Sequence, residues 1–294
     1  MAVQKGLTPA AIAGFGRPCE QVQKMKKTIA VAIISFKEGL RQRVLYGILI
    51  FALLMMSAAV LLSGLFMRDI AKITIDFCLA AISIGGLLVP FFLAVNQLAR
   101  DIERRTIFTL LCRAISRRQY ILGKFSGLAL LTVTIVAILS LSATLAIWAS
   151  NTIYGDYFFQ NLNVQALAVA VGMGLLGVLM FTAVVVLWSC ITTSSFLVTL
   201  LAIATYIIGH TTEDLVRFMA APPPGVEISP MVQHSVTAAL YIFPNLAAFD
   251  VKLAAAHGLM ISGAEILFLL TYGIGYTVAA LCLAIFFFQR RDLT

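Results

Sequence analysis

The feature that most constrains this chain is a series of six apolar stretches separated by polar breaks. They cover residues 44–67, 77–98, 127–148, 164–190, 196–209 and 264–288. A helix needs about 20 mostly apolar residues to cross a bilayer. Hydrophobic residues make up 61% of the chain and charged residues 12%, whereas soluble domains average about 45–50% and about 25%. This composition leaves too little polar surface for a water-soluble globule, so the sequence predicts an all-α polytopic membrane protein with six transmembrane helices over residues 44–288.

The distribution of basic residues predicts the orientation of these helices. Of the 21 Lys and Arg residues, eight lie at or before Arg43, seven lie between Arg100 and Lys124, and two lie at the C-terminal end. Six spans place these three regions on one side of the membrane. Because basic residues are retained on the cytoplasmic side, we expect both termini to be cytoplasmic, in a bacterial inner membrane.

The two ends of the chain are predicted to lie outside the bilayer. Residues 1–28 form a basic, glycine-containing cytoplasmic tail, and residues 289–294 form the cytoplasmic C-terminus. Between the tail and the first span, residues 29–43 have an apolar stripe on one helical face and charges on the other. The stripe is Ile29, Ile33, Phe36 and Leu40, and the charges are Lys37, Glu38, Arg41 and Arg43. This pattern predicts an amphipathic helix in the membrane interface, although a simple extension of the first span is the alternative.

The strongly basic segment between the second and third spans has a second amphipathic pattern. Its apolar stripe follows helical spacing and consists of Ile107, Leu110, Leu111, Ala114 and Ile115. Charged residues cluster at its two ends and on the opposite face. Two interpretations stay open on these grounds. The charged ends contact a soluble partner, or the segment is a cytoplasmic loop that anchors to acidic lipid head groups.

This segment resembles the one that follows the second helix in ABC-2-type transporter permeases. The resemblance is carried by Glu103, Arg105, Thr106, Ile107, Leu110, Leu111, Arg113, Ile115, Ser116, Arg117, Tyr120, Gly123 and Lys124, with Ala114 where the family usually has proline. Two further fragments fit the family: Phe243-Pro244-Asn245-Leu246 with Phe249-Asp250, and the ending Phe288–Asp292. The branch that the chain resembles most contains the permeases of multicopper-enzyme maturation, including the nitrous oxide reductase assembly permease.

The resemblance implies a cytoplasmic coupling helix that docks on a separate ATPase subunit. The residues assigned to this coupling are Glu103, Arg104, Arg105, Thr106, Ile107, Leu110, Leu111 and Ile115. It also implies short re-entrant helices on the outer side before the last span, in a region that contains Pro244, Asn245, Phe249 and Asp250. The implied partners are two ATPase subunits, which carry ATP and Mg, and a second, identical permease chain. Export is the implied direction, and neither a bound cofactor nor nucleic acid is expected.

The sequence contains no motif that is typical of a nucleotide-binding or metal-binding catalytic site. Gly123-Lys124-Phe125 superficially resembles a phosphate-binding loop, but Arg118 stands where its first glycine belongs and no Ser or Thr follows the lysine. The three histidines, His210, His234 and His257, have no metal-ligand spacing. We therefore expect a transporter subunit without its own ATPase site and without a metal centre.

Two other functional classes remain to be weighed. An ion-coupled carrier would place a carboxylate or histidine in the middle of a span, and the predicted spans hold no such group. A membrane assembly or anchoring subunit that transports nothing is the alternative to the permease. A neighbouring gene for an ATPase would favour the permease, whereas a gene beside a structural complex would favour the anchor.

Overall fold

The computed structural model describes residues 16–64, 70–99, 116–155, 163–220, 231, 234, 236–238, 242–256 and 262–290. The main helices are α1 (Gly16–Leu40), α2 (Arg43–Ser63), α3 (Ile70–Ala94), α4 (Arg117–Tyr154), α5 (Val164–Ile191), α6 (Ser195–Ala220), α7 (Lys252–Ala256) and α8 (Gly263–Arg290). A π-helical turn, Val95–Ala99, continues α3, and a 3-10 turn, Ala247–Phe249, precedes α7.

The lengths and compositions of these helices confirm the polytopic fold. Within the described ranges, α3, α4, α5, α6 and α8 are each long and apolar enough to cross a membrane. Helices α1 and α2 meet at a bend of 60° and make a sixth span if they are taken as one broken element. The bend lies where an interfacial helix is predicted to meet the first span, and α1 begins at Gly16, well inside the predicted tail.

Helix α1 packs closely on α4 at two glycines of α4. A Cβ atom at Gly123 would lie 2.6 Å from Cβ of Val31, and one at Gly127 would lie 2.7 Å from the carbonyl oxygen of Ala32. These glycines therefore admit α1 directly against the α4 backbone. Of the stripe residues, Ile29 and Ile33 are about half exposed and face outward, whereas Phe36 and Leu40 are partly buried against the core.

Several helices extend beyond the predicted apolar stretches. Helix α4 covers 38 residues rather than residues 127–148, and α3 begins at Ile70 rather than at residue 77. Helix α6 continues from residue 209 to Ala220. Its last turns are amphipathic, and an ion pair between Arg217 and Glu213 at i, i+4 spacing stabilises them. Hydropathy falls at residue 210, but the helix does not end there.

The helix ends identify two ends of the bundle. At the basic end, the Arg117 side chain at the start of α4 contacts the last turn of α8. At the far end, the Tyr154 hydroxyl donates a hydrogen bond of 2.9 Å to the carbonyl oxygen of Val60 in α2. Helices α3, α4 and α5 form the centre of the bundle, α8 packs along α5, and α1 packs along the basic half of α4.

Candidate functional site

The residues assigned to ATPase coupling lie outside the described part of the chain. These are Glu103, Arg104, Arg105, Thr106, Ile107, Leu110, Leu111 and Ile115. What the structure describes is the two elements that the segment joins: the π-helical turn that ends at Ala99 and the start of α4 at Ser116.

The first turns of α4, residues 116–127, are called the α4 base. Ser116 caps the helix because its hydroxyl accepts a hydrogen bond from the backbone N–H of Gln119, while the Gln119 side chain accepts one from the N–H of Ser116. Arg117 Nη1 donates hydrogen bonds to the carbonyl oxygens of Phe288 at 3.1 Å and Gln289 at 3.0 Å. The ring of Tyr120 stacks on Phe288. The α4 base is therefore fastened to the C-terminal turn of α8.

The α4 base also carries a buried charge that faces α1. The Lys124 side chain is only 6% exposed, and its Nζ atom lies 3.2 Å from Oε2 of Glu38. From the other side, Nε2 of Gln97 in the π-helical turn lies 3.4 Å from the carbonyl oxygen of Ser35. Helix α1 therefore contacts both elements between which the undescribed segment runs.

At the far half of the bundle, residues 242–256 form an insertion between the long helices, here called the insertion. The backbone N–H of Leu246 donates to the carbonyl oxygen of Gly209, at 3.0 Å. The N–H of Asn245 donates to the Tyr272 hydroxyl, also at 3.0 Å. The Tyr276 hydroxyl donates to the carbonyl oxygen of Ile242. Backbone groups of the insertion thus form hydrogen bonds with the long helices α6 and α8.

Glycines in three helices make room for the insertion. A Cβ atom at Gly209 would lie 2.6 Å from the carbonyl oxygen of Pro244, and one at Gly177 would lie 3.0 Å from Cβ of Phe249. A Cβ at Gly273 would lie 3.0 Å from the Phe249 ring. Gly177 is 13 residues from the start of α5, a distance of about 20 Å along the helix. The insertion therefore reaches deep into the bundle.

The predicted re-entrant residues all belong to this insertion. Pro244 is buried, and Asn245 accepts a hydrogen bond from the N–H of Ala248 through its side chain. Phe249 is 2% exposed and stacks on the Tyr272 ring. Asp250 follows the 3-10 turn, and its carboxylate lies 3.1 Å from Nζ of Lys252. Family resemblance alone implied these residues, whereas the structure shows which helices they contact.

A cavity of about 160 Å³ lies between the insertion and helices α3, α4, α5 and α6. Most of its wall is apolar. Four polar side chains are gathered where α6 meets the insertion, and Ser83 of α3 is a further polar residue in the wall. The four are Tyr206, His210, Asp250 and Lys252. The rings of Tyr206 and His210 are 4.3 Å apart, and Nδ1 of His210 is buried without a well-formed hydrogen bond to any described residue.

This cavity changes one expectation from the sequence. The predicted spans contain no ionisable group at mid-depth, yet Asp250 and Lys252 reach the cavity from the insertion, and His210 reaches it from the extended part of α6. His210 lies ten residues before the end of α6, about 15 Å along the axis. His234 is exposed and His257 lies outside the described residues, and the described residues contain no cluster of three metal-ligating side chains.

The long apolar helices, the bent α1–α2 pair and the buried insertion define an all-helical, polytopic membrane protein with a fastened basic end. The family described as ABC-2 family transporter protein matches residues 29–293. The chain therefore belongs to the ABC-2 transporter family and is one of its membrane permeases. This family typically lacks an ATPase site and implies an ATPase partner. No curated protein matches the chain.

Proposed function

We propose that this permease is the membrane-spanning subunit of an ABC exporter whose separate ATPase subunits bind ATP and Mg. The observation that carries the proposal is the fastening of the α4 base, together with the family match over residues 29–293. Residues 100–115 connect α3 to α4, and the α4 base that follows them is tied to α8 by Arg117 and to α1 by Lys124. A force applied to the connecting segment would therefore reach four helices: α3, α4, α8 and α1.

In this proposal, the connecting segment from Glu103 to Ile115 is the surface on which the ATPase docks. Its charged start, Glu103 and Arg104, provides charge-assisted hydrogen bonds to the partner. A push on the segment is passed to α4 without an intervening loop, because α4 begins at Arg117 under a complete capping box.

The test is charge reversal at the start of the segment. Glu103→Arg and Arg104→Glu are expected to weaken copurification of the ATPase or to uncouple hydrolysis from transport, while the permease stays inserted. Glu265→Arg is the matched control, because Glu265 is an exposed carboxylate in the first turn of α8, at the opposite end of the bundle. If the segment were a lipid anchor, Glu103→Arg would instead strengthen membrane contact. Wild-type complex formation and substrate-stimulated ATPase activity in both variants would exclude the coupling role and favour a non-transporting anchor.

We further propose that two identical permease chains assemble with two ATPase subunits. An exposed apolar stripe on α6 supports a helix–helix contact, because its members follow a spacing of four, three and four residues. They are Phe196, Leu200, Ile203 and Ile207. In a cysteine-free background, Ile203→Cys should give a cross-linked homodimer. Purified complexes that contain one copy of the chain would contradict the homodimer.

The proposed location is a bacterial inner membrane with both termini in the cytoplasm. This orientation is supported by the asymmetric distribution of the Lys and Arg residues. A cysteine at Asp156 should react with an impermeant thiol reagent added outside, and a cysteine at Ser116 should not. External labelling of Ser116→Cys would contradict the proposed orientation.

A narrower proposal concerns the copper-enzyme branch. It is supported by the motif resemblance alone, and no described cluster of side chains favours copper. The measurement is multicopper-enzyme activity in a strain that lacks this permease, with the enzyme's protein level as control. Normal metal loading in that strain would remove the branch assignment and leave the transporter assignment intact.

A further inference from the structure

Gly174 lies in the cavity wall, where its small size is not needed for two helices to pack closely. It lines the cavity, and a Cβ atom built on it meets no described atom within 4 Å. Two other glycines in the cavity wall differ, since a Cβ atom at Gly177 or Gly86 would lie 3.0 or 3.1 Å from a neighbouring side chain. The absent side chain at residue 174 therefore brings no helix closer. Its effect is to leave volume inside the bundle.

The size and lining of the cavity limit what it can hold. An apolar cavity of about 150 Å³ stays dry and accepts a molecule of the size of benzene, and this cavity has about 160 Å³. Ligand pockets for whole drug-sized molecules have about 300–1,000 Å³. The space therefore fits one ring or the end of one alkyl chain, and the rest of such a ligand must lie outside it.

The polar side of the cavity favours a head group without net charge. Asp250 and Lys252 form an ion pair with side chains that are 36% and 28% exposed, so their charges offset each other. A ligand that brought a net charge into this mostly apolar cavity would lose hydration without meeting an unpaired opposite charge. The ammonium group has three N–H donors and the carboxylate has further acceptor sites. A head group with a hydroxyl, an amide or a zwitterion can accept a hydrogen bond from Lys252 and donate one to Asp250.

We propose that this cavity binds the substrate class of the permease: amphiphiles with a narrow apolar end and an uncharged or zwitterionic head group. The apolar end lies beside Gly174 and the apolar wall of α3, and the head group faces Asp250 and Lys252. The inference rests on the proposed transport function and adds the chemistry of what is carried.

The test is photolabelling of the full-length permease in lipid nanodiscs, without ATPase subunits. The probe is a monoacylglycerol with a photoreactive diazirine at the end of its alkyl chain. We expect labelling in α3 and α5 beside the cavity, and a decrease of about tenfold in apparent affinity in Gly174→Leu, which fills the space. Gly172→Leu is the matched control, since Gly172 lies two residues away, outside the cavity lining, and a Cβ there also meets no described atom within 4 Å.

Further measurements keep the result interpretable. Gly174→Ala, a smaller change, should retain an unchanged thermal midpoint and show an intermediate loss of labelling, so a folding defect in Gly174→Leu cannot imitate the result. Fatty acid and alkylamine probes with the same diazirine should label less than the monoacylglycerol. Equal labelling of wild type and Gly174→Leu, equal loss in the two leucine variants, or preferred labelling by a charged probe would overturn the inference. Because no ATPase is present, failure of the coupling proposal leaves this test unaffected.

Discussion

Replacement of Gly209 by alanine should displace the insertion from α6. The added Cβ atom would lie 2.6 Å from the carbonyl oxygen of Pro244 and 3.0 Å from Cδ1 of Leu246. A comfortable carbon–oxygen contact is about 3.3–3.6 Å, so the backbone at Pro244 must move by about 0.7–1.0 Å. A backbone atom cannot rotate away as a flexible side chain can. The hydrogen bond from the N–H of Leu246 to the carbonyl oxygen of Gly209 holds the same two segments together.

The expected cost of this displacement can be bounded. Overpacking of a close-packed interior typically costs about 1–3 kcal/mol. Alanine returns about 0.5–1 kcal/mol through its better helix propensity, which does not cancel the upper part of that range. The net cost is therefore at most about 2.5 kcal/mol. At about 2–4 °C per kcal/mol for a chain of roughly this size, the thermal midpoint of Gly209→Ala should fall by up to about 10 °C.

The assay is thermal unfolding of the purified permease in detergent, together with the reactivity of a single cysteine introduced at Ala255, which is buried in wild type. Gly275→Ala is the control, because a Cβ atom at Gly275 meets no described atom within 4 Å. This control should keep or slightly raise the midpoint and leave cysteine reactivity unchanged. If both alanine variants gave the same midpoint and the same reactivity as wild type, the insertion would not pack against Gly209 as described.

Three further outcomes follow from the contacts. A double-mutant cycle of Lys124→Met and Glu38→Gln should be non-additive by about 0.5–3 kcal/mol in thermal stability, because the two side chains lie 3.2 Å apart, and additivity would contradict the pair. Tyr272→Phe should lower stability by about 1–3 kcal/mol because it leaves the Asn245 N–H without its acceptor, and Tyr276→Phe, whose hydrogen bond is exposed, should lower it less. Gly123→Leu should detach α1 from α4 and increase protease cleavage within α1, whereas Gly47→Leu, at an open position, should not.

Hydropathy predicted the helical elements well but their ends poorly. The central parts of α4, α5 and α8 coincide with apolar stretches of the sequence, because each apolar residue in a span favours insertion into lipid. The last turns of α6 were missed because Glu213 and Arg217 lower the hydropathy while their ion pair favours the helix. The start of α4 was missed for a similar reason, since Arg117 and Lys124 are charged residues that tertiary partners satisfy.

Only part of the candidate site could be predicted from the sequence. The fragment from Pro244 to Asp250 was identified by resemblance, but its contacts with α5, α6 and α8 were not. Closely spaced glycines in α5 indicated close helix approach in general. In the structure, Gly177 admits Phe249, while Gly174, three residues earlier in the cavity wall, meets open space. Sequence spacing cannot separate these two roles, because it does not say what stands opposite each face.

The permease class came from the resemblance of short motifs to a known family. By itself, the sequence determined that the chain is a helical membrane protein and predicted which side of the membrane is cytoplasmic. Those properties depend on sums over many residues, such as apolar length and charge asymmetry, and they need no knowledge of long-range contacts. Only the tertiary structure decided that Glu38 meets Lys124, that the insertion fills the space between three helices, and that a cavity remains beside Gly174. Each of these depends on residues far apart in the chain, and helices in lipid select their neighbours by packing and hydrogen bonding rather than by hydrophobicity.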